Sequence, residues 1–250
     1  MATVRLAEWD ELPELARIGA AAFGQDEIYL HFNPWRSVYP QDWHDSFLHT
    51  LQGRFAEAGS VVLVIEVRHK EGEKPVKAGY ITATRRGADN RPLSSWMQQR
   101  STWGLQIATP AQRKEASRLV TNRSSNPDAI AYYYAEASRI MGGSLANTME
   151  VQTIAVVPGF QRAGIGKVAL KWCFDMAEAE NVPVVGDASK KGINLYLQTG
   201  FKIQGTIVME AKVARLDGRD DVVVEMPRLE VPVVTWTPGT PRRVRLVSVL

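Results

Sequence analysis

Gly164 and Gly166 stand two apart in the stretch VVPGFQRAGIGKVALKW, between an apolar run and a run with helical periodicity. Glycines at a strand-to-helix turn let the backbone approach a ligand closely, and the free N–H groups of a helix start attract phosphate. Three phosphate-binding motifs compete here. A P-loop needs G-x-x-x-x-G-K-[ST]; Gln161 holds the first glycine's place and Val168 follows Lys167, so that motif fails. The dinucleotide pattern G-x-G-x-x-[GA] is met by Gly164, Gly166 and Ala169, and Asp187 ends the next apolar run, about 20 residues on as that motif expects. Against it, PGFQRA separates the glycines from their strand, and the turn lies too late in the chain for a doubly wound sheet. A longer string, IAVVPGFQRAGIGKVAL, fits a third motif better.

Acid–base groups are fewer. Glu150 lies 11 residues before Gln161, on the run that leads into the turn. A carboxylate there could take a proton directly or through water; a solvated or ion-paired residue is the competing reading. Strand alternation groups Glu150 and Gln152 with Ile154 and Val156 on one face. His31, His44, His49 and His69 all fall in the N-terminal third, with no evident Asp or Asn pairing, and Cys173 sits within a helical run, so no acyl-cysteine chemistry is suggested. No metal site is expected.

The elements that must position these groups are legible as patterns. DELPELARIGAAAF and QDWHDSFLHTLQGRFAEAG carry helical stripes, the first through Leu15, Ile18, Gly19, Ala22 and Phe23. VVLVIEV (61–67) and AGYITATR (78–85) form an antiparallel pair. Thr109–Pro110 and Asn126–Pro127 each read as a cap followed by a first helical residue, the second helix closing at Gly142. TMEVQTIAVV (148–157) is a strand, 164–180 a long helix, VPVVGDA (182–188) a strand and KKGINLYLQT a short helix. FKIQGTIVME and DVVVEMPRL are expected to pair as a final hairpin.

The chain has 250 residues, 45% apolar, and a net charge of only +3, with Arg242, Arg243 and Arg245 near the C-terminus accounting for the excess. That balance argues against a nucleic-acid partner. A lone cysteine allows no intrachain disulfide and suits a reducing compartment, so a cytoplasmic location is expected. The N-terminus has no signal-peptide pattern, and no apolar run reaches the roughly 18 residues of a membrane span, so no membrane partner is expected.

The string Gln161-Arg162-Ala163-Gly164-Ile165-Gly166, preceded by Pro158, resembles the [QR]-x-x-G-x-[GA] signature of the GNAT acetyltransferase superfamily. DASKKGINLYLQTGFKIQG (187–205) is similar to that family's second block, with its tyrosine and Gly-Phe at matching spacing, and VRLAEWDELPELARIGAAAF looks like its opening strand and helix. The resemblance implies an α/β fold: a mixed, mainly antiparallel sheet flanked by helices, whose two central strands splay to admit coenzyme A. It implies one domain over 1–230, including a helical insertion at 87–147, with 231–250 as a tail. It implies an acetyl-CoA-dependent N-acetyltransferase, a cosubstrate but no metal, and direct transfer to an amine, most simply a small molecule, with a protein N-terminus or lysine as the other acceptors open to it. Ile154, Ala155, Val156, Gln161, Arg162, Ala163, Gly164, Ile165, Gly166, Lys167 and Ser189 would bind the cosubstrate, the amides of Arg162 to Lys167 holding its pyrophosphate and Val156 N–H polarising the thioester carbonyl. Ser189 departs from the family's usual Asn. Glu150 would act as base and Tyr196 as the acid at sulfur. The 87–147 stretch reads equally as a lid over the acceptor, as extra packing or as a surface for a homodimer; the cosubstrate cradle is expected not to depend on it. A non-catalytic acyl-CoA-binding module and a nicotinamide oxidoreductase are the alternative readings.

Overall fold

The computed structural model describes residues 2–68, 70, 72–96, 107–143, 145–216 and 219–240. His69, parts of the 87–147 stretch (97–106 and 144) and the basic C-terminal tail lie outside these residues.

The described chain runs β1 (Ala2–Leu6), α1 (Leu12–Ala22), α2 (Glu27–Phe32), α3 (Pro40–Ala56), β2 (Ser60–Val67), β3 (Val76–Arg85), α4 (Pro110–Ala116), α5 (Pro127–Ile140) and β4 (Met149–Val156). It continues through α6 (Ile165–Glu180), β5 (Val184–Asp187), α7 (Ile193–Gln198), β6 (Lys202–Met209), β7 (Lys212–Leu216), β8 (Arg219–Met226) and β9 (Leu229–Trp236). Seven strands form one sheet in the order β1-β2-β3-β4-β5-β9-β6. Every neighbouring pair is antiparallel except β4–β5. This rules out the doubly wound parallel sheet of a dinucleotide-binding oxidoreductase.

The helix starts follow their cap residues. Asn126 accepts from the Ala129 N–H ahead of Pro127, and Thr109 and Gln112 form a capping box around Pro110. Gly142, at φ 70°, follows α5 as expected. One core lies between the sheet and α6–α7, around Phe174, Leu170, Ile81 and Trp236. On the opposite face α1 and α3 cover the β2–β4 side, and α2 with α5 cover β6 and β9. Gly19 is where α1 crosses the sheet: a Cβ there would lie 2.5 Å from the Tyr80 hydroxyl.

Two sequence expectations need correction. The final hairpin is not FKIQGTIVME with DVVVEMPRL. Instead β6 pairs with β9, which slots between β5 and β6, while β7 and β8 pair separately. The intervening β7–β8 turn mimics a local hairpin signal, and the longer-range apolar match of LEVPVVTW wins. The stretch read as a tail from residue 231 thus begins inside a central strand. Second, the register of β3 on β4 shifts between Thr82 and Ala83, leaving Gln152 as an extra, bulged residue. The bulge breaks the expected alternation: Glu150 shares its face with Thr153 and Ala155, whereas Ile154 and Val156 turn to the α6 face. The described part of the segment between β3 and β4 packs into the rest of the chain, in line with the extra-packing reading. Trp96 is 1% exposed within the α6-side core and donates to Glu180 at 2.6 Å, and Tyr133 of α5 is packed against α2 and β9.

Candidate active site

The β4–β5 ladder is two residue pairs long, Met149 with Val184 and Glu150 with Val185, and then the strands part. Gly186 stands at the opening: a Cβ on it would meet the Val151 carbonyl at 3.1 Å and the Tyr196 hydroxyl at 4.0 Å. Val157 N–H bonds to the Ala78 carbonyl of β3, so by strand alternation the Val156 N–H points away from β3, into the opening. The Gln161 side-chain amide donates to the Val156 carbonyl at 3.1 Å and fixes the strand end.

Beyond the opening the glycine turn leads into α6. Arg162, at φ 64°, and Gly164, at φ 82°, both take left-handed backbone, and the N–H groups of Arg162, Ala163, Gly164, Ile165 and Gly166 make no hydrogen bond within the described residues. Such a concave row of donors at the head of a helix fits a diphosphate. Gly164 answers the backbone requirement. Gly166 answers a packing one, since a Cβ there would lie 2.7 Å from Leu195 of α7. The Lys167 N–H turns back to the Gly164 carbonyl, so the cradle ends one residue earlier than expected.

Two carboxylates enter the opening from the face opposite α6. Glu150 is half-buried and takes Nε and Nη2 of Arg86 on a single oxygen, Oε2, at 2.9 and 2.6 Å, which leaves Oε1 without a partner. Asp187 ends β5 on the same face, beside Val233. Burial pushes its carboxyl up to about 6, opposed by the nearby Tyr133 hydroxyl and reinforced by the charges of Glu150 and Asp26. Tyr196, 6% exposed, reaches the opening from the α6 face; burial above all, with Asp187 nearby, holds its hydroxyl protonated far above the usual phenol range. A protonated phenol and carboxylates thus stand at one opening, on opposite faces of the sheet.

No protein-family profile and no curated protein matches the sequence. Solved structures do match the fold. An acetyltransferase from Corynebacterium glutamicum, described as histone acetyltransferase HPA2 and related acetyltransferase, is 16% identical, with a TM-score of 0.56 over 96% of this chain and 98% of its own. The fold is that of the GNAT acetyltransferases. A mosquito arylalkylamine N-acetyltransferase-like protein (15% identity, TM-score 0.47, 95% and 100% covered) and a GNAT acetyltransferase from Streptococcus pneumoniae (12%, 0.45, 96% and 100%) also match, more loosely.

Within this GNAT fold the structure places Glu150 and Tyr196 at the end of the opening where β4 and β5 part, beside Val185, Val151 and Gly186, and Val156, Gln161 and the turn from Arg162 to Gly166 at the far end of β4. Ile154 flanks the opening on the α6 face, while Ala155 is fully buried on the other. Ser189 lies apart from the turn, in the β5–α7 loop beside Asp26, which it helps to keep ionised against the pull of burial. Asp187 was not singled out for chemistry in the sequence, where it served only the dinucleotide motif. The available signal was its place at the end of the strand that parts from β4. Among the described residues no group of His, Cys, Asp and Glu could hold a metal ion, and no helix is long and apolar enough to cross a membrane.

Asp187 also makes a stability prediction. Its folded value lies above its ordinary 3.8, so ionisation opposes folding. Stability on this account is fully present below about pH 4 and declines as pH rises through about 6. Asp187→Asn should therefore raise unfolding free energy by about 1–2 kcal/mol at pH 7.5 and by almost nothing at pH 4, as read by urea titration.

Proposed function

We propose that this protein is an acetyl-CoA-dependent N-acetyltransferase that transfers acetyl directly to an amine, with a small molecule as acceptor. The observation that carries the reading is the juxtaposition of the N–H-lined turn with the parted β4–β5 strands. The first fits the cosubstrate's pyrophosphate; the second gives its pantetheine arm a slot whose edge groups are free to bond. In this reading the arm lies along Ile154 to Val156, and the thioester reaches the end of the opening beside Val151 and Gly186; Val156, five strand residues further along β4, bonds by its N–H to the arm rather than to the thioester oxygen. The neutral amine attacks the carbonyl carbon, an N–C bond forms and the C–S bond breaks. The proton lost by nitrogen passes, directly or through one water, to Oε1 of Glu150, which Arg86 holds by the other oxygen. The departing sulfur takes the Tyr196 proton, which burial keeps in place until a thiolate is available. Lys167 is assigned to the outer part of the cosubstrate site; Ser189, bonded to Asp26 apart from the turn, is not.

The reading is tested by incubating the protein with acetyl-CoA and a panel of primary amines, following free thiol and product mass together. Equal release of thiol and N-acetyl product supports it. Tight acetyl-CoA binding without transfer to any amine would favour a non-catalytic acyl-CoA-binding module. A charge reversal probes the cradle itself. Ala163 is exposed and its N–H is among the free donors. Ala163→Glu should weaken acetyl-CoA binding by about 3- to 30-fold, the range expected for an anion near a helix start, with thermal stability unchanged. Unaltered affinity in calorimetry would move the phosphates elsewhere.

A further inference from the structure

Buried polar atoms without partners collect around Asp187. The Tyr133 hydroxyl, in a residue only 2% exposed, meets strict hydrogen-bond geometry with no group but lies against the Asp187 carboxylate, and both amide atoms of Gln152 and the hydroxyl of Thr235 are buried and unpaired. The topology brings them to one place. Asp187 pairs with Val233, whose side chain lies in the same small core as Tyr133. Counting on from the Glu150–Val185 pair, the bulged Gln152 stands opposite Asp187 across the strand opening. Thr235 pairs with Val185 on that same face. The Tyr133 hydroxyl lies close enough to Asp187 to favour its carboxylate. Leaving such groups unpaired costs free energy unless a ligand meets them.

Above this floor stands a wall of rings. Tyr29 lies 5.5 Å from Phe47, Phe32 4.9 Å from Tyr133, and Tyr133 5.7 Å from Tyr134. Tyr134 keeps 60% of its surface exposed, so the wall is open to solvent at one end. Beside Tyr29 it has a recess of about 50 Å³, lined by apolar side chains and hydroxyls, Phe47, Leu51 and Thr153 among them, and by no carboxylate.

We propose that Asp187, with the Tyr133 hydroxyl and the Gln152 amide oxygen, seats the ammonium of a primary amine carried on an aromatic stem, the stem lying on the ring wall of α2, α3 and α5. An ammonium has three N–H donors and no acceptor, which matches a carboxylate, a hydroxyl oxygen and an amide oxygen. Glu150 and Asp26 add negative potential nearby. The ring faces favour both a flat stem and a cation. A diamine gains nothing, because the recess offers its second charge no partner. The seat concerns the acceptor half of the site and rests on the acetyl-transfer reading only for what then happens to the amine.

The test is calorimetry with phenethylamine, phenethyl alcohol and 1,5-diaminopentane at pH 7.5, without acetyl-CoA and again with coenzyme A present. Phenethylamine should bind saturably in at least one of the two conditions, and the alcohol and the diamine about tenfold or more weakly. Asp187→Asn should weaken phenethylamine by about tenfold or more, leave acetyl-CoA affinity unchanged and not lower thermal stability. Tyr133→Phe should weaken it severalfold. Phenethylamine affinity should also fall as pH drops below about 6, as Asp187 takes up its proton. The other titratable and charged groups facing this space are Glu150 with its Arg86, Asp26, Tyr29, Tyr134 with Arg54, and Tyr196. No binding of phenethylamine, a variant Asp187→Asn that binds it within twofold of the parent, or tighter binding of the diamine would overturn the seat. Phenethylamine that binds through Asp187 but is never acetylated would count against the transfer reading and leave the seat standing. Acetylation of other amines without phenethylamine binding would do the reverse.

Discussion

Glu150→Gln is expected to lower kcat for amine acetylation by about 10²- to 10⁴-fold while acetyl-CoA affinity stays nearly constant, the range for loss of a general base. The substitution preserves shape. Its amide oxygen can still accept from Arg86, which now bonds to Oε2 at 2.6 and 2.9 Å, so the strand end keeps its geometry. What disappears is the capacity of the free oxygen to hold a proton. The two roles open to this side chain therefore separate cleanly. If Glu150 serves only to pair Arg86, kcat changes no more than the stability does; if it takes the amine's proton, kcat falls far beyond any loss of stability. Stopped-time product assays at saturating acetyl-CoA, beside urea unfolding of the same variant, read both.

The second large effect is on folding. Arg85 is 8% exposed and donates Nε to Glu180 at 2.7 Å, and the other Glu180 oxygen takes the Trp96 indole N–H at 2.6 Å. Arg85 ends β3, Glu180 ends α6, and Trp96 belongs to the segment that joins β3 to β4. One carboxylate at the end of α6 thus ties down both the end of β3 and the segment that follows it, 95 and 84 residues away in sequence. Glu180→Ala leaves a buried guanidinium without its charged partner, and unfolding free energy should drop by about 3–5 kcal/mol. A loss under about 1 kcal/mol in urea titration would mean that water reaches Arg85 and that the tie is a surface pair.

The sequence was most legible where local chemistry decides. The proline-preceded caps at Thr109 and Asn126, the β2–β3 pair, and the glycine turn before α6 depend on neighbours within a few residues, and the structure has them where the patterns put them. The tyrosine run 132–134 was also readable: a helix cannot bury three consecutive residues on one side, and Tyr132 and Tyr134 are 48% and 60% exposed while Tyr133 is buried. Long-range choices were not readable. Nothing local says that LEVPVVTW leaves its neighbour β8 to pair with β5 and β6. Nothing local announces the bulge at Gln152, which turns Glu150 away from the face of Ile154 and Val156. Asp187 was hidden for the same reason. Its weight comes from the parting of β4 and β5 and from a tyrosine more than one helix away, and neither leaves a mark in its own neighbourhood.

That the glycine turn and the parted strands hold acetyl-CoA is the claim on which the proposed function depends. It is tested most directly by titrating ¹⁵N-labelled protein with acetyl-CoA and following assigned amide signals. The N–H groups of Arg162 to Gly166, which have no partner in the described chain, and that of Val156, which faces the opening, should shift together and saturably with one equivalent. Saturable binding with shifts confined to other surfaces, or no shift of these amides at millimolar acetyl-CoA, would contradict the account.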